Sequence, residues 1–410
     1  MYTQLTCHRW ELNTKPIRTV YQGLVNRPSL TSLTLQFPIS RTPRQVTSIP
    51  PLPNLRSLSV IDLDPLCYND DLAVLLLHAK RLEVLKMHWN PRMRLEAEAS
   101  TNLATYFGRC IQAGHRLAIR KFGMHNFYGA NNLDIARAFD FETMREAHFL
   151  DVFGGVGGAP ANAFIDDTWR DLPDYNINKW KVHRSNELAF HHTKILSEFE
   201  GLEELYLINQ HLDHTGGKSS DEVASPVSES RTPSNGRKSP DSMPSNLANL
   251  GGEYINVITR NHGATLRKLL LPDRFRLSVS DLATLVRCCP NIEQLGLAIG
   301  ENVGHMFGHL LPFLPKLFAV RVADDEFMRR NLQSTGKQWM DFCDEIGRDI
   351  YLKKQDALRW CGVGDQYLYV GDKVEVELED GTKETRRELH EVTCDDVKHI
   401  EIWAMDTLVL

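Results

Sequence analysis

The stretch Phe199–His211, FEGLEELYLINQH, sets the pattern for the whole chain. Its apolar skeleton is Leu202, Leu205 and Leu207, with a polar residue beside each apolar one. An L-x-x-L-x-L frame of this kind describes a turn followed by a short strand whose alternate side chains face a core. One such strand cannot bury its apolar face alone and requires copies of itself on either side.

Copies recur along the sequence as Leu30-Leu33-Leu35, Leu55-Leu58-Val60, Leu82-Leu85-Met87, Leu266-Leu269-Leu271, Ile292-Leu295-Leu297, Leu317-Val320-Val322 and Val397-Ile400-Ile402. Weaker ones are Ile119-Phe122-Met124, Met144-Ala147-Phe149 and Ile177-Trp180-Val182. In a chain that is 42% hydrophobic a single match means little, so the spacing carries the inference. Middle positions fall 25 residues apart from Leu33 to Leu58, 27 to Leu85, 25 from Trp180 to Leu205, 26 from Leu269 to Leu295 and 25 to Val320. A period of about 20–29 residues belongs to the leucine-rich class. The expected fold is therefore α/β: a leucine-rich-repeat-like solenoid of irregular strand–helix repeats with a C-terminal capping segment.

Helical stretches are expected between the frames at Asn69–Lys80, Ser100–Gly114, Glu187–Phe199 and Asn249–His262, from their apolar periodicity and end signals. Residues 1–29 form an N-terminal segment, a remnant or a cap, and residues 30–212 hold irregular repeats. Residues 213–248 are dominated by Ser and Pro and cannot bury enough surface to order themselves, so they read as a disordered insertion. Within it Ser225, Thr232 and Ser239 each precede a proline and are candidate phosphorylation sites. Repeats resume over 249–326. Residues 327–410 read as a cap, with a helix over Gln338–Trp360, a hairpin at Asp380-Gly381 and a last repeat strand at Val397–Trp403.

The formal charge of −6 offers no general attraction to nucleic acid. No apolar run of about 18 residues marks a membrane span, and the N-terminal residues lack the apolar core of a signal peptide. Eight cysteines without C-x-x-C pairs fit reduced thiols in the cytoplasm or nucleus. The Gly154–Gly158 run lacks a following Gly-Lys-Ser/Thr, and His305 and His309 lack the glutamate of a zinc protease motif. His191 and His192 are adjacent on a helix and point about 100° apart, which does not suit chelation. No catalytic, cofactor-binding or metal-binding set is expected.

If the frame residues face inward, their neighbours line the outer, concave face. These are Lys86 and His88, Lys121 and His125, Lys179, Lys181 and His183, Tyr206, and later Arg321. Charge placed there for solubility alone is the plain alternative. Agreement in sign over several repeats instead suggests a surface for an acidic or phosphorylated protein segment, held by charge-assisted hydrogen bonds.

The irregular frames, the Ser/Pro insertion and the segment Arg348–Asp372, RDIYLKKQDALRWCGVGDQYLYVGD, together resemble the repeat region of fungal F-box proteins with leucine-rich repeats. The resemblance covers the chain from about Leu30 onward. It implies a non-catalytic substrate-recognition part of a ubiquitin ligase receptor, whose F-box would bind the Skp adaptor and through it a cullin. Residues 1–29 lack the Leu-Pro start and helical pattern of an F-box, so those two partners are expected only if an F-box lies upstream. A standalone scaffold or regulator with no ubiquitin role is the alternative.

Overall fold

The computed structural model describes residues 5–39, 48–64, 71–92, 96, 101–127, 133–152, 180–208, 245–299, 307–308, 313–323, 336–377 and 381–410. The Ser/Pro insertion with Ser225, Thr232 and Ser239, the Gly154–Gly158 run, Lys179, His305 and His309 lie outside the described residues.

The chain builds one large, open, mostly parallel sheet. Its strands are β1 (Cys7–Trp10), β2 (Ser32–Gln36), β3 (Ser57–Leu63), β4 (Val84–Trp89), β5 (Lys121–His125), β6 (Glu146–Leu150), β7 (Val182–Ser185), β8 (Glu204–Leu207) and β9 (Lys268–Leu270). They continue with β10 (Arg276–Leu277), β11 (Gln294–Ile299), β12 (Ala319–Val322), β13 (Trp360–Val363), β14 (Gln366–Glu377) and β15 (Lys383–Val392). Apart from β10, which pairs beside β11, each strand neighbours the next in chain order. All pairs are parallel until β13–β14 and β14–β15, which form an antiparallel end.

The register explains why the frames recur. Leu33, Leu58, Leu85, Phe122, Ala147, His183, Leu205, Leu269, Leu295, Val320 and Cys361 are successive cross-strand partners. Their side chains are buried, as are the first frame residues from Leu30 to Leu358. The corner before each strand repeats too. One carbonyl accepts two N–H groups from the next strand, as Thr31 does from Arg56 and Ser57, and Glu203 from Arg267 and Lys268. Each chain reversal thus satisfies backbone groups that burial would otherwise leave costly.

Helices connect the strands: α1 (Arg18–Val25), α2 (Asp71–His78), α3 (Ala104–Gln112), α4 (Leu133–Ala138), α5 (Phe190–Ser197), α6 (Ser245–Val257), α7 (Val279–Cys288) and α8 (Gly336–Leu352). A π-helical turn, Ile258–His262, extends α6. Leu75, Phe107, Ile195, Tyr254 and Leu285 from this layer share one core with the frame residues. Burying apolar area of this kind is the main stabilising term, at about 25 cal/mol per Å². Ser278 caps α7 by accepting from Asp281 N, while the Asp281 carboxylate accepts from Ser278 N.

Several expectations need correction. The weak frame near Ile177 starts three residues later, as Trp180-His183-Ser185, so His183 points into the core and not onto the outer face. The core tolerates it because both ring nitrogens are bonded: Nδ1 lies 2.9 Å from Ala147 O and Nε2 2.8 Å from His192 Nε2. Lys181 stands one residue before β7, in an exposed row at the strand entrances, where it pairs with Glu203 at 3.2 Å. The helix expected through Trp360 ends at Leu352, and Leu358-Cys361-Val363 supplies the last parallel strand. Val397–Trp403 is not a strand. It forms two short helices, α9 (Cys394–Val397) and α10 (Glu401–Ala404), joined through an extended Ile400, and its apolar residues face the sheet from this bent segment. Within the first 29 residues, β1 already pairs in parallel with β2.

The candidate recognition face

Each parallel strand presents two sets of side chains, one to the helical core and one to the opposite face. In β2 and β4, and in β3 as far as Val60, the pattern is simple alternation of buried and partly exposed residues. From β5 the alternation is lost: β6, β7 and β8 are buried on both faces after their first residue, and β11 throughout. The cause is the closing segment, residues 393–410, which runs back across the outer face from β13 toward β4.

Val397, Ile400, Ile402 and Trp403 form a second apolar cluster with Leu150, Tyr206, Leu270 and Ala319 from the sheet. Polar contacts fix the path. The Glu401 carboxylate lies 2.6 Å from Lys268 Nζ and accepts from Gln294 Nε2 at 2.6 Å, while Gln294 Oε1 accepts from Ile402 N. Lys268 also reaches Glu204 at 3.0 Å. Burial opposes the Lys268 charge, yet these two carboxylates leave its pKa raised. Arg321 pairs with Asp406 at 2.7 Å, and Arg184 donates to the oxygens of Val409 (2.8 Å) and Thr407. Lys86 Nζ donates to the Leu410 oxygen at 2.7 Å. Gly123 lets the chain in this close: a Cβ there would stand 3.1 Å from Leu410 Cδ1 and Cδ2.

The register thus gathers Lys86, Gly123, His148, Arg184 and Tyr206 into one row across five strands, with Lys121 and Glu146 in the row beside it. Lys121 lies 2.8 Å from Glu146. His148, at 3.6 Å, and Lys121 hold the Glu146 carboxyl down to about 2. Burial, and then Lys121 and Arg184, lower the pKa of Lys86. His88 and His125 meet at 3.3 Å between their Nδ1 atoms, and burial pushes them down to about 3 and about 4, so both are neutral near pH 7. Tyr206 donates to Glu204 at 2.7 Å beneath the closing segment.

Of the residues singled out from sequence, Lys86, His88, Lys121 and His125 come together. Tyr206 and Arg321 lie further along the same face, His183 is in the core and Lys181 is at the strand entrances. Arg184, His148, Glu146 and Lys268 were missed. The signal for Arg184 was present: placing His183 at a frame position puts Arg184 outward. Among the described residues no three His, Cys, Asp or Glu side chains gather as a metal site, and no helix is long and apolar enough to cross a membrane. No protein-family model matches the sequence, and no curated protein is significantly similar to it.

Proposed function

We propose that this chain is a non-catalytic protein-recognition scaffold of the leucine-rich-repeat solenoid type, which binds its partner on the outer face of the parallel sheet. The observation that carries the reading is the face itself, a run of in-register strands bearing a cationic row on which a segment of polypeptide already lies. Frames at a 25–27-residue spacing, with sequential strands paired in chain order, support the solenoid assignment. The excess of cations around Lys86, Lys121 and Arg184 favours an acidic or phosphorylated protein segment over nucleic acid, given a chain that is acidic overall. The resemblance to F-box repeat proteins gives the concrete form: substrate selection for a ubiquitin ligase, with Skp and cullin recruited if an F-box lies upstream.

The test is affinity capture from the native cells, with the unaltered chain beside a Lys86→Glu/Lys121→Glu variant. The expected result is a reproducible protein partner retained by the first and lost by the second. Partners captured equally by both would remove the face from the account. Skp and cullin among them would identify the ligase form; their absence beside a face-dependent partner would favour the standalone scaffold.

A further inference from the structure

The closing segment is not held uniformly. Up to Trp403, which is 9% exposed, it is anchored by apolar side chains in the second cluster. Beyond Ala404 its anchorage changes kind. Thr407, Val409 and Leu410 are gripped chiefly through main-chain oxygens by Arg184 and Lys86, with Arg184 also donating to Thr407 Oγ1 at 3.1 Å and the Asp406 carboxylate paired with Arg321. Met405, Leu408 and Leu410 are only partly buried against the sheet, and Val409 is 73% exposed.

Beside Leu410 lies a cavity of about 110 Å³ lined by Lys86, Lys121, His148 and Arg184, with Met405 and Leu410 as its apolar wall. Arg184 is 3% exposed and its Nε has no hydrogen-bond partner there. Among the described residues the acidic side chains that border these cations are Glu146, already paired with Lys121, and Asp406, already paired with Arg321. A buried surplus of positive charge with an unsatisfied donor is costly unless an anion completes it. The volume suffices for a carboxylate group, because a water molecule claims about 30 Å³.

We propose that residues 405–410 are an exchangeable internal occupant of a peptide site, and that the site's ligand is an acidic, leucine-bearing segment of a partner protein. The ligand's leucine takes the place of Leu410 over Gly123, and its carboxylate enters the cavity between Lys86, Lys121 and Arg184. This rests on the recognition role proposed above and adds the partner's chemistry and the means of competition. Residues 393–404 stay seated while 405–410 lift, and the cost of opening is the Arg321–Asp406 pair together with the contacts to Arg184 and Lys86, all of which the ligand's own acidic groups and main chain replace. Ligand and internal segment share one site, so the full chain binds more weakly than a chain in which the site is vacant.

The experiment uses the labelled synthetic peptide MDTLVL, the sequence of residues 405–410, as free acid and as C-terminal amide. Fluorescence polarisation is read for the full chain and for a chain ending at Ala404 with an unchanged circular dichroism spectrum. The shortened chain is expected to bind the free acid about tenfold more tightly than the full chain, and the amide about tenfold more weakly than the acid. Arg184→Glu in the shortened chain is expected to abolish binding. Hydrogen exchange on the unaltered full chain gives a second reading that needs no variant: excess free-acid peptide should accelerate exchange at 405–410 and leave 397–403 unchanged. Equal affinity of full and shortened chains, or unaltered exchange at 405–410, would overturn the competition. Equal affinity for acid and amide would overturn the carboxylate site. Neither result touches face-dependent capture of a partner, so this inference and the recognition reading fail separately.

Discussion

Arg321 and Asp406 tie the sheet to the closing segment at 2.7 Å, with side chains 16% and 5% exposed. Removing one member of a buried pair leaves the other charged and poorly solvated, at a cost of about 3–5 kcal/mol. Asp406→Ala should therefore lower the unfolding free energy by about 3 kcal/mol in urea titration; an unchanged midpoint would mean that the pair contributes nothing net. The buried histidines govern the response to acid. His183, His192 and Tyr254 form a chain in which Tyr254 O–H donates to His192 Nδ1 at 2.8 Å and the two imidazoles share a 2.8 Å contact. Ala147 O fixes His183 as the Nδ1–H tautomer, so His192 donates through Nε2 and both rings are neutral. Burial holds His183 well below 6.5, His192 at about 3 and His148 at about 4. The unfolded state then binds more protons than the folded one below pH 6.5. Stability is full above that pH and should decline as pH falls from 6.5 toward 4, read as a falling urea midpoint. A midpoint independent of pH between 7 and 5 would contradict this chain of neutral rings.

The strands were legible in the sequence because a frame residue must be apolar wherever helices cover it. Leu33, Leu58, Leu85, Leu205, Leu269 and Leu295 are buried cross-strand partners, and Leu205→Ala should cost about 2–5 kcal/mol, as core truncations do. Where a hydrogen-bonded histidine replaced the apolar residue, the reading slipped by three positions and the outward residue Arg184 was lost. The closing segment was misread for a different reason. Val397, Ile400 and Ile402 keep the i, i+3, i+5 spacing of a strand frame, but Val397 ends one short helix, Ile400 is an extended link and Ile402 lies in the next helix, and the bend between them turns all three toward the sheet. Only the tertiary contact with Tyr206, Leu270 and Ala319 decides between a strand and this bent segment. That contact depends on Gly362, where a Cβ would stand 2.7 Å from Trp403 Cζ2. Gly362→Ala should push the indole off the sheet and destabilise by about 1–3 kcal/mol. A red shift of the tryptophan emission in a Gly362→Ala chain, lost when Trp403 is also replaced by Phe, would report it; emission unaltered by Gly362→Ala would mean that the ring is not seated there.

Over the whole molecule the sheet has one face committed to helices and one partly covered by the chain's own closing segment. The strands β2, β3 and β4 retain partly exposed outer positions, among them Ser59 and Lys86. The proposed recognition at this uncovered end, extending into the site now held by 405–410, would need no movement of the sheet or its helices. A parallel sheet built from sequential strands also spreads its core along the chain, so a surface change on the outer face should leave the helical core intact. The charge-reversed Lys86→Glu/Lys121→Glu chain is thus expected to keep its fold, read as an unchanged circular dichroism spectrum, with an unfolding midpoint lowered by the lost Lys121–Glu146 pair and the lost Lys86 contact to Leu410.

The most direct measurement places a photo-cross-linking benzophenone amino acid at Ser59 on the outer face, or at Arg109, an exposed position on α3, and irradiates each chain with its captured partner bound. Recognition by the strand face predicts an adduct from Ser59 and none from Arg109. An adduct from Arg109 with none from Ser59 would move the partner to the helical layer and contradict the account.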